Sequence, residues 1–395
     1  MKNRPDLGLP LLILGRSATN RWTRSKNSSA RLAQDSNKTM NFDTEKCSKT
    51  NDEDEPLEKL LLELNPFLCK IFTLKELLKA TSDFSSANFI AEGGCSYVYR
   101  GCLPNKKEVA IKVLKQYKEA CADFASELEI TRSLSHRYII PLVGACCEDG
   151  RLILVFDFAA GGSLNGILHD GSPNRSPLTW KVRYRVALAV AEALNYIHNN
   201  CRRPVIHRDV TSSNILLSSD SQPKLADFGR ATRSESPSAS DVVGTFGYIA
   251  PEYFMQGRMS EKIDIYSYGV VLLELLTGRK ALSCRGCESL VQWATPLLEA
   301  GDPRYFLDPW LEGKANSAEV QRVILASLLC TKRSPRLRPK SSQILKLLRR
   351  EQSVRSWLNG YVNDIVTYDE LDNSMFYASA IRHQEFPLVG LAKGR

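Results

Sequence analysis

The feature that most constrains the fold is a pair of polar segments, His207–Asn214 and Asp227–Gly229, joined by a stretch with the pattern of a hairpin. The first reads His-Arg-Asp-Val-Thr-Ser-Ser-Asn, the second reads Asp-Phe-Gly, and their aspartates Asp209 and Asp227 lie 18 positions apart. Asp209 is suited to orienting and deprotonating a hydroxyl, whereas Asn214 and Asp227 offer oxygen ligands for Mg²⁺. Each segment alone is a weak signal, but their order and spacing predict a site for phosphoryl transfer.

A lysine that could hold phosphates ends a short β-branched strand, Val109–Lys112, upstream of this pair. The ammonium of Lys112 is a point charge suited to the α and β phosphates of ATP, provided that a carboxylate keeps it in place. Glu127, 15 positions further on, is the candidate partner, and it lies in Phe124–Ile130, whose residues fit a helix with one packed face. Glu129 in the same segment is the alternative partner.

A loop that contains glycine precedes the lysine strand. Residues Ile90–Val98, which we call the phosphate loop, align with the pattern G-x-G-x-x-G-x-V at Ala91, Gly93 and Ser96. Only Gly93 keeps a glycine in place, but Ala and Ser are the next smallest side chains, so backbone N–H groups could still approach phosphates. Cys95, near the tip of this loop, is a candidate exposed thiol.

Two longer segments predict core helices. Asp264–Leu276 is apolar around nearly its whole circumference, which is typical of a helix buried in a large core. Apolar residues also recur at helical spacing over Val182–Ile197. Gly244–Glu252 lies before the first of these helices and ends in Ala-Pro-Glu, a motif that closes the activation segment of one class of phosphotransferases.

Together these motifs resemble those of protein kinases, and in particular the receptor-like/Pelle group found in plants, over residues from about 72 to 350. Phe72–Ser85 is similar to the leading motif of that group, F-T-x-x-E-L-x-x-A-T-x-x-F-S. Further matching segments are Gly144–Cys147, Leu154–Phe158, Gly162–Leu164, Leu275–Lys280 and Ser289–Ala294. Because no stretch predicts a membrane span, the closer likeness is to receptor-like cytoplasmic kinases.

The resemblance implies an α+β fold of two lobes, a small β-rich N-lobe and a larger, mainly helical C-lobe, with ATP and Mg²⁺ in the cleft between them. It implies that Asp209 accepts the proton of a protein serine or threonine hydroxyl, that Lys112 braced by Glu127 aligns the phosphates, and that Asn214 and Asp227 hold the metal. The residues that it assigns to nucleotide binding are Ile90, Ala91, Glu92, Gly93, Gly94, Cys95, Ser96, Tyr97, Val98, Lys112, Glu127 and Phe158.

The resemblance also implies regulation through the segment between Gly229 and Ala250. Arg208, directly before the catalytic aspartate, is typical of kinases in which a phosphate on this segment pairs with that guanidinium. The candidate phosphate acceptors are Thr232, Ser234, Ser236, Ser238 and Ser240. Arg338 is the expected partner of Glu252, for which the alternative is a surface ion pair of little consequence.

One departure keeps a second hypothesis open. Kinases that act on serine and threonine usually have a lysine two residues after the catalytic aspartate, but this chain has Thr211, which carries no charge. Together with the missing loop glycines, this departure allows an ATP-binding pseudokinase that works as a scaffold or switch.

Composition and charge set the expected domain organisation. We expect a disordered tail over 1–70, a kinase domain over 84–350 with its N-lobe at 84–158 and C-lobe at 159–350, and a C-terminal extension over 351–395. The first 50 residues carry ten basic and four acidic side chains, and an acidic run follows directly. Such a tail can touch anionic membrane lipid, whereas a soluble disordered tail is the simpler interpretation.

The remaining features indicate a cytoplasmic protein. The eleven cysteines form no disulfide framework, and Cys284–Cys287 is a C-x-x-C without a second pair at zinc spacing. The apolar run Leu7–Gly15 is too short to span a bilayer and lacks a cleavage site, so secretion is not expected. Basic residues are not interleaved with aromatic ones, so we expect no nucleic-acid partner. The expected partners are a protein substrate and an upstream receptor kinase or small GTPase.

Overall fold

A computed structural model of the chain describes residues 69–115, 117–169, 177–234, 242–283, 288–300 and 305–368. The tail over 1–68, the Cys284–Cys287 pair and most of the predicted phosphate acceptors, at 236, 238 and 240, lie outside these residues. Within the described residues, no helix is both long and apolar enough to cross a membrane.

The N-lobe is built on a six-stranded sheet in the order β1-β5-β6-β4-β3-β2, in which only the β1–β5 pair is parallel. The strands are β1 (Lys70–Ile71), β2 (Phe89–Glu92), β3 (Ser96–Cys102), β4 (Glu108–Leu114), β5 (Leu142–Glu148) and β6 (Arg151–Asp157). The lysine strand predicted from Val109–Lys112 is thus confirmed as β4. It lies between β3 and β6, which fixes its register on both sides.

Helices cover both faces of this sheet: α1 (Leu74–Thr81) on one side and α2 (Tyr117–Arg132) on the other. Side chains alternate between the two faces of a strand, and β6 shows this alternation. Ile153 and Val155 pack with the cluster of α1, whereas Leu152 and Leu154 pack with that of α2. Burial on both faces explains why the strand is continuously apolar.

The segment before residue 84 packs on this sheet. The main-chain N–H of Phe72 donates to Ala145 O at 2.8 Å, and the Phe72 side chain is 1% exposed. Thr73 caps α1 in a reciprocal capping box with Glu76. Residues 70–81 thus add an edge strand and a covering helix to the sheet.

The C-lobe is mainly helical, with short strand pairs near the cleft. Its helices are α3 (Leu164–His169), α4 (Trp180–Asn195), α5 (Pro251–Gln256), α6 (Lys262–Thr277), α7 (Leu290–Ala300), α8 (Ser317–Cys330), α9 (Ser341–Leu348) and α10 (Val354–Tyr368). Its strands are β7 (Gly162–Ser163), β8 (Val205–Ile206), β9 (Ile215–Leu217), β10 (Pro223–Leu225) and β11 (Thr232–Arg233). The predicted α+β fold of two lobes is confirmed.

Helix α6 is the centre of the C-lobe core. Every residue from 263 to 277 is buried, as the all-round apolar pattern predicted. The predicted core helix over Val182–Ile197 is also present, as α4 followed by a single π turn, Tyr196–Asn200. Arg338 and Glu252 form a bidentate ion pair with N–O distances of 2.6 and 2.7 Å. Arg338 is 1% exposed, so the surface alternative for this pair is wrong.

Candidate active site

Lys112 joins the two lobes through a pair of carboxylates. Its Nζ donates to Glu127 Oε1 and Oε2 at 2.7 and 2.8 Å, and to Asp227 Oδ1 at 2.8 Å. Strand β4 supplies the lysine and α2 supplies Glu127, whereas Asp227 follows β10 in the C-lobe. Glu129, the alternative partner, instead lies 3.6 Å from Arg203 and 3.5 Å from Arg233, so that alternative is wrong.

The electrostatics of this cluster favour the charged forms of Lys112 and Asp227, whereas burial raises the pKa of Glu127 above its usual value. Burial alone would lower the pKa of Lys112, but the neighbouring Glu127 and Asp227 outweigh burial and raise it above its usual value. Burial alone would likewise raise the pKa of Asp227, but Lys112 lowers it below its ordinary range. A cationic lysine held in place by carboxylate groups is the arrangement needed to position phosphates.

Asp209 accepts hydrogen bonds on both carboxylate oxygens. The hydroxyl of Thr245 donates to Oδ1 at 2.7 Å, and Asn214 Nδ2 donates to Oδ2 at 3.1 Å and to the main-chain oxygen of Asp209 at 2.9 Å. Arg230 Nε lies 3.9 Å from Oδ2. An aspartate that already accepts a threonine hydroxyl can orient and deprotonate a hydroxyl of the same kind.

Residues His207–Asn214 form a segment that we call the catalytic loop. Its backbone is held by Asp264 at the start of α6. Its two carboxylate oxygens accept the main-chain N–H groups of His207 and Arg208, each at 2.8 Å, and it also bonds His198 at 2.9 Å. Arg208 has a φ of +66°, a left-handed conformation that non-glycine residues rarely adopt. The buried carboxylate explains how this strained residue is kept in place. Sequence reasoning identified the helix but not this role.

The Asp-Phe-Gly segment is fixed by similar means. Asp227 also has a positive φ, of +62°, and the ring of Phe228 packs against His207 with centroids 4.6 Å apart. The Ala226 N–H donates to Asn214 O at 2.8 Å, so Asp227 follows directly beside the catalytic loop. These contacts bring together the two segments that lie 18 positions apart in the sequence.

The residues predicted to hold a metal have the donor chemistry for a hard divalent cation. Asp227 offers a carboxylate, and the amide nitrogen of Asn214 is used by Asp209, which leaves its carbonyl oxygen as the ligand atom. Mg²⁺ prefers oxygen ligands and commonly binds through one or two protein side chains together with substrate phosphates. No cluster of three or more His, Cys, Asp or Glu suited to a metal occurs among the described residues.

The phosphate loop lies in the hairpin formed by β2 and β3, whose turn comprises residues 93–95. Glu92 lies opposite Tyr97, and Gly93 N–H donates to Ser96 O at 2.8 Å. Cys95 is exposed as predicted, and its thiol is free. The remaining loop residues predicted to bind nucleotide, Ile90, Ala91, Gly94 and Val98, lie in the same β2–β3 hairpin.

Phe158, predicted to lie near the nucleotide, follows β6 directly, and the guanidinium of Arg100 lies over its ring at 5.1 Å. The nucleotide-binding roles of Phe158 and of the loop residues stay predictions.

Comparisons with known proteins agree with this geometry. A sequence model of the protein kinase domain matches residues 84–347. Protein kinase STUNTED of Arabidopsis thaliana is 43% identical over 325 residues, which cover 80% of this chain and 51% of that protein. The Arabidopsis receptor-like cytosolic serine/threonine-protein kinase RBK2 is 38% identical over 333 residues, covering 80% of this chain and 72% of RBK2. The chain thus spans about half the length of the first relative and somewhat more of the second.

Proposed function

This chain belongs to the protein kinase family, within the plant receptor-like cytosolic kinases, and from that membership we propose that it phosphorylates serine and threonine residues of protein substrates with Mg·ATP. The observation that carries the proposal is the assembled cluster in which Lys112 binds Glu127 and Asp227 while Asp209 accepts the Thr245 hydroxyl. These contacts support the proposal, because a lysine braced by a carboxylate and an aspartate that accepts a hydroxyl are side chains that phosphoryl transfer to a protein uses.

The proposed mechanism rests mainly on positioning and charge. Lys112, held by Glu127, orients the α and β phosphates, and Asp209 aligns the attacking hydroxyl and takes its proton. Asn214 and Asp227 would hold Mg²⁺, which when bound neutralises charge on the phosphate oxygens. Asn214, one of the two proposed metal ligands, also donates to Asp209, so the same side chain helps to orient the proposed base.

The alternative of a pseudokinase scaffold has no observation in its favour. Its basis was the loss of a lysine at Thr211 and of two loop glycines, and neither change disturbs Lys112, Asp209, Asn214 or Asp227. We propose that the protein acts in the cytoplasm. Its proposed partners are a protein substrate and an upstream receptor kinase or small GTPase. Contact of the basic tail with anionic lipid remains a further proposal.

The experiment that tests the activity replaces Asp209 by asparagine. We expect Asp209→Asn to lower phosphate incorporation by about 10³-fold, within the range that general base catalysis contributes, and to leave ATP affinity nearly unchanged. Asp220→Asn is the matched control, since Asp220 is an exposed aspartate in the turn between β9 and β10. Incorporation of radiolabelled phosphate and calorimetric titration with Mg·ATP measure the two quantities. Equal turnover by Asp209→Asn and the parent chain would contradict the assignment.

A further inference from the structure

Lys115, the residue directly after β4, contacts the phosphate loop at four points. Its Nζ pairs with the Glu92 carboxylate and donates to the main-chain oxygen of Gly93 at 3.0 Å. Its main-chain N–H donates to the oxygen of Cys95 at 2.9 Å, and its ammonium lies 4.3 Å from the centroid of the Tyr97 ring. One residue therefore binds both sides and the tip of the turn.

These contacts fix the direction of two peptide groups. In a trans peptide the C=O and the following N–H point in opposite directions. Because Lys115 holds the carbonyls of Gly93 and Cys95, the N–H groups of Gly94 and Ser96 are directed away from it. A turn whose N–H groups are preset in this way is suited to binding an anion.

The same contacts restrict a flexible stretch and balance its charge. Gly93 and Gly94 are consecutive glycines, which lose more conformational freedom on ordering than other residues do. Glu92 would also place an unbalanced negative charge beside the phosphates. Lys115 restricts the glycines, because it anchors Gly93 O, and it balances the negative charge of Glu92, because it pairs with that carboxylate. Its side chain is 22% exposed, against 56% for Glu92, so the lysine is the more buried partner of the pair.

We propose that Lys115 is the positioning residue of the phosphate loop, which it holds with the Gly94 and Ser96 amides set for the phosphates of ATP. The inference rests on the proposed function and deepens it, since it explains how a loop with Ala91 and Ser96 in place of glycines keeps a phosphate-binding shape. Lys115 acts through the loop backbone and does not touch the nucleotide.

The test replaces Lys115 by methionine, which keeps the length of the side chain but removes its charge and its donor. We expect the Kd and KM for Mg·ATP to rise about tenfold, which corresponds to about 1.4 kcal/mol. The KM for a peptide substrate should change less than about twofold, because the loop would contact only the nucleotide. Lys115→Arg should restore ATP affinity, since it keeps both the charge and the donors.

Lys70→Met is the matched control. Lys70 also pairs with a glutamate, Glu76, at 3.0 Å and also lies over an aromatic ring, that of Phe72, at 4.2 Å. These contacts are in the leading segment of the chain and not in the phosphate loop, so ATP affinity should not change. The stoichiometry of the calorimetric titration gives the folded fraction, which separates a loss of affinity from a loss of folding.

The thiols of Cys95 and Cys102 supply a second readout that needs no turnover. Both are exposed and free, the first in the loop and the second at the far end of β3. Lys115→Met should speed alkylation of Cys95 but not of Cys102, and protection of Cys95 by Mg·ATP should require a higher ATP concentration.

The outcomes separate this inference from the proposed activity. If the chain binds Mg·ATP without transferring phosphate, the proposed activity fails, but the ratio of the ATP affinities of the parent chain and Lys115→Met still decides the role of Lys115. Unchanged affinity in Lys115→Met, or an equal loss in Lys70→Met, would overturn the inference.

Discussion

Thr211 is the single residue that departs most clearly from the catalytic pattern. Its hydroxyl accepts the main-chain N–H of Asn214 at 3.3 Å, and its side chain is buried. It therefore supports the turn that carries Asn214, the proposed metal ligand. The hydroxyl bound to Asp209 comes from Thr245 and not from Thr211. The catalytic loop is thus well ordered at this position but has no positive charge there.

We expect Thr211→Lys to raise kcat by about 5- to 30-fold, or about 1–2 kcal/mol of transition-state stabilisation, with little change in ATP affinity. A lysine at this position would stabilise charge on the phosphoryl group as it transfers, an interaction stronger in the transition state than in the bound ground state. Steady-state kinetics with Thr211→Met as the uncharged control measure the effect. A lower kcat in the lysine variant would indicate that the threonine hydroxyl is needed for the loop itself.

Contacts that a motif names could be predicted at this scale, but contacts that depend on tertiary geometry could not. The Lys112–Glu127 and Glu252–Arg338 pairs follow from matching known patterns, and both are present. The Thr245–Asp209 bond joins residues 36 positions apart, and no periodicity of the sequence brings them together. The anchoring of the loop backbone by Lys115 also escaped prediction, because the contacts that anchor it are made to main-chain carbonyl groups, which no sequence motif specifies.

At the scale of elements, apolar patterns predicted the strands and helices that lie in the core. Helix α6 was predicted because its apolar residues surround it, and it is buried all round. Strand β4 was predicted from its β-branched residues, and alternate residues of it are buried. The C-terminal extension shows the limit of such patterns, since Tyr361–Val366 is short and its sequence suits a strand as well as a helix. The structure resolves that choice in favour of α10, because packing against α9 determines it and local propensity does not.

Helix α10 is attached to the C-lobe by aromatic residues. Trp357 and Tyr361 stack with their ring centroids 5.2 Å apart, and Trp357 Nε1 donates to Gln343 O at 2.8 Å. The Tyr361 hydroxyl donates to Leu337 O, next to Arg338 of the buried ion pair. The helix lies beyond the residues matched by the kinase sequence model, yet it packs on the segment that holds Glu252.

We expect Trp357→Ala to lower the free energy of unfolding by about 3–5 kcal/mol, as for other buried tryptophans. Trp357 is 5% exposed, whereas Trp310 is 63% exposed and provides the matched control. Trp310→Ala should cost less than about 0.5 kcal/mol, since it leaves no cavity. Urea unfolding followed by circular dichroism measures both variants. Similar losses for the two would show that α10 contributes little to the stability of the C-lobe.

At the scale of the whole molecule, the lobes are joined by contacts that involve the activation segment. Arg233 on β11 donates to Ser133 Oγ at 3.0 Å and lies 3.5 Å from Glu129 of α2. Arg208 Nε donates to the main-chain oxygen of Arg230 in the same segment. The segment therefore connects the helix that carries Glu127 with the loop that carries Asp209, so a change in its charge can act on both lobes.

We expect autophosphorylation of the purified chain on serine or threonine, with at least one site between Thr232 and Thr245. A phosphate there could pair with the guanidinium of Arg208 and order the segment. Replacing every hydroxyl residue of this stretch except Thr245 by alanine should lower kcat/KM about tenfold, or about 1.4 kcal/mol, the scale of one hydrogen bond to a charged group.

Phosphosite mapping by mass spectrometry identifies the sites. As the control, the parent chain is treated with phosphatase and then with Mg·ATP, and it should first lose and then regain activity. Phosphate found exclusively on tyrosine would contradict the proposed specificity. Full activity of the alanine variant would show instead that the contacts of Arg208 and Arg233 already hold the two lobes in the active arrangement without a phosphate.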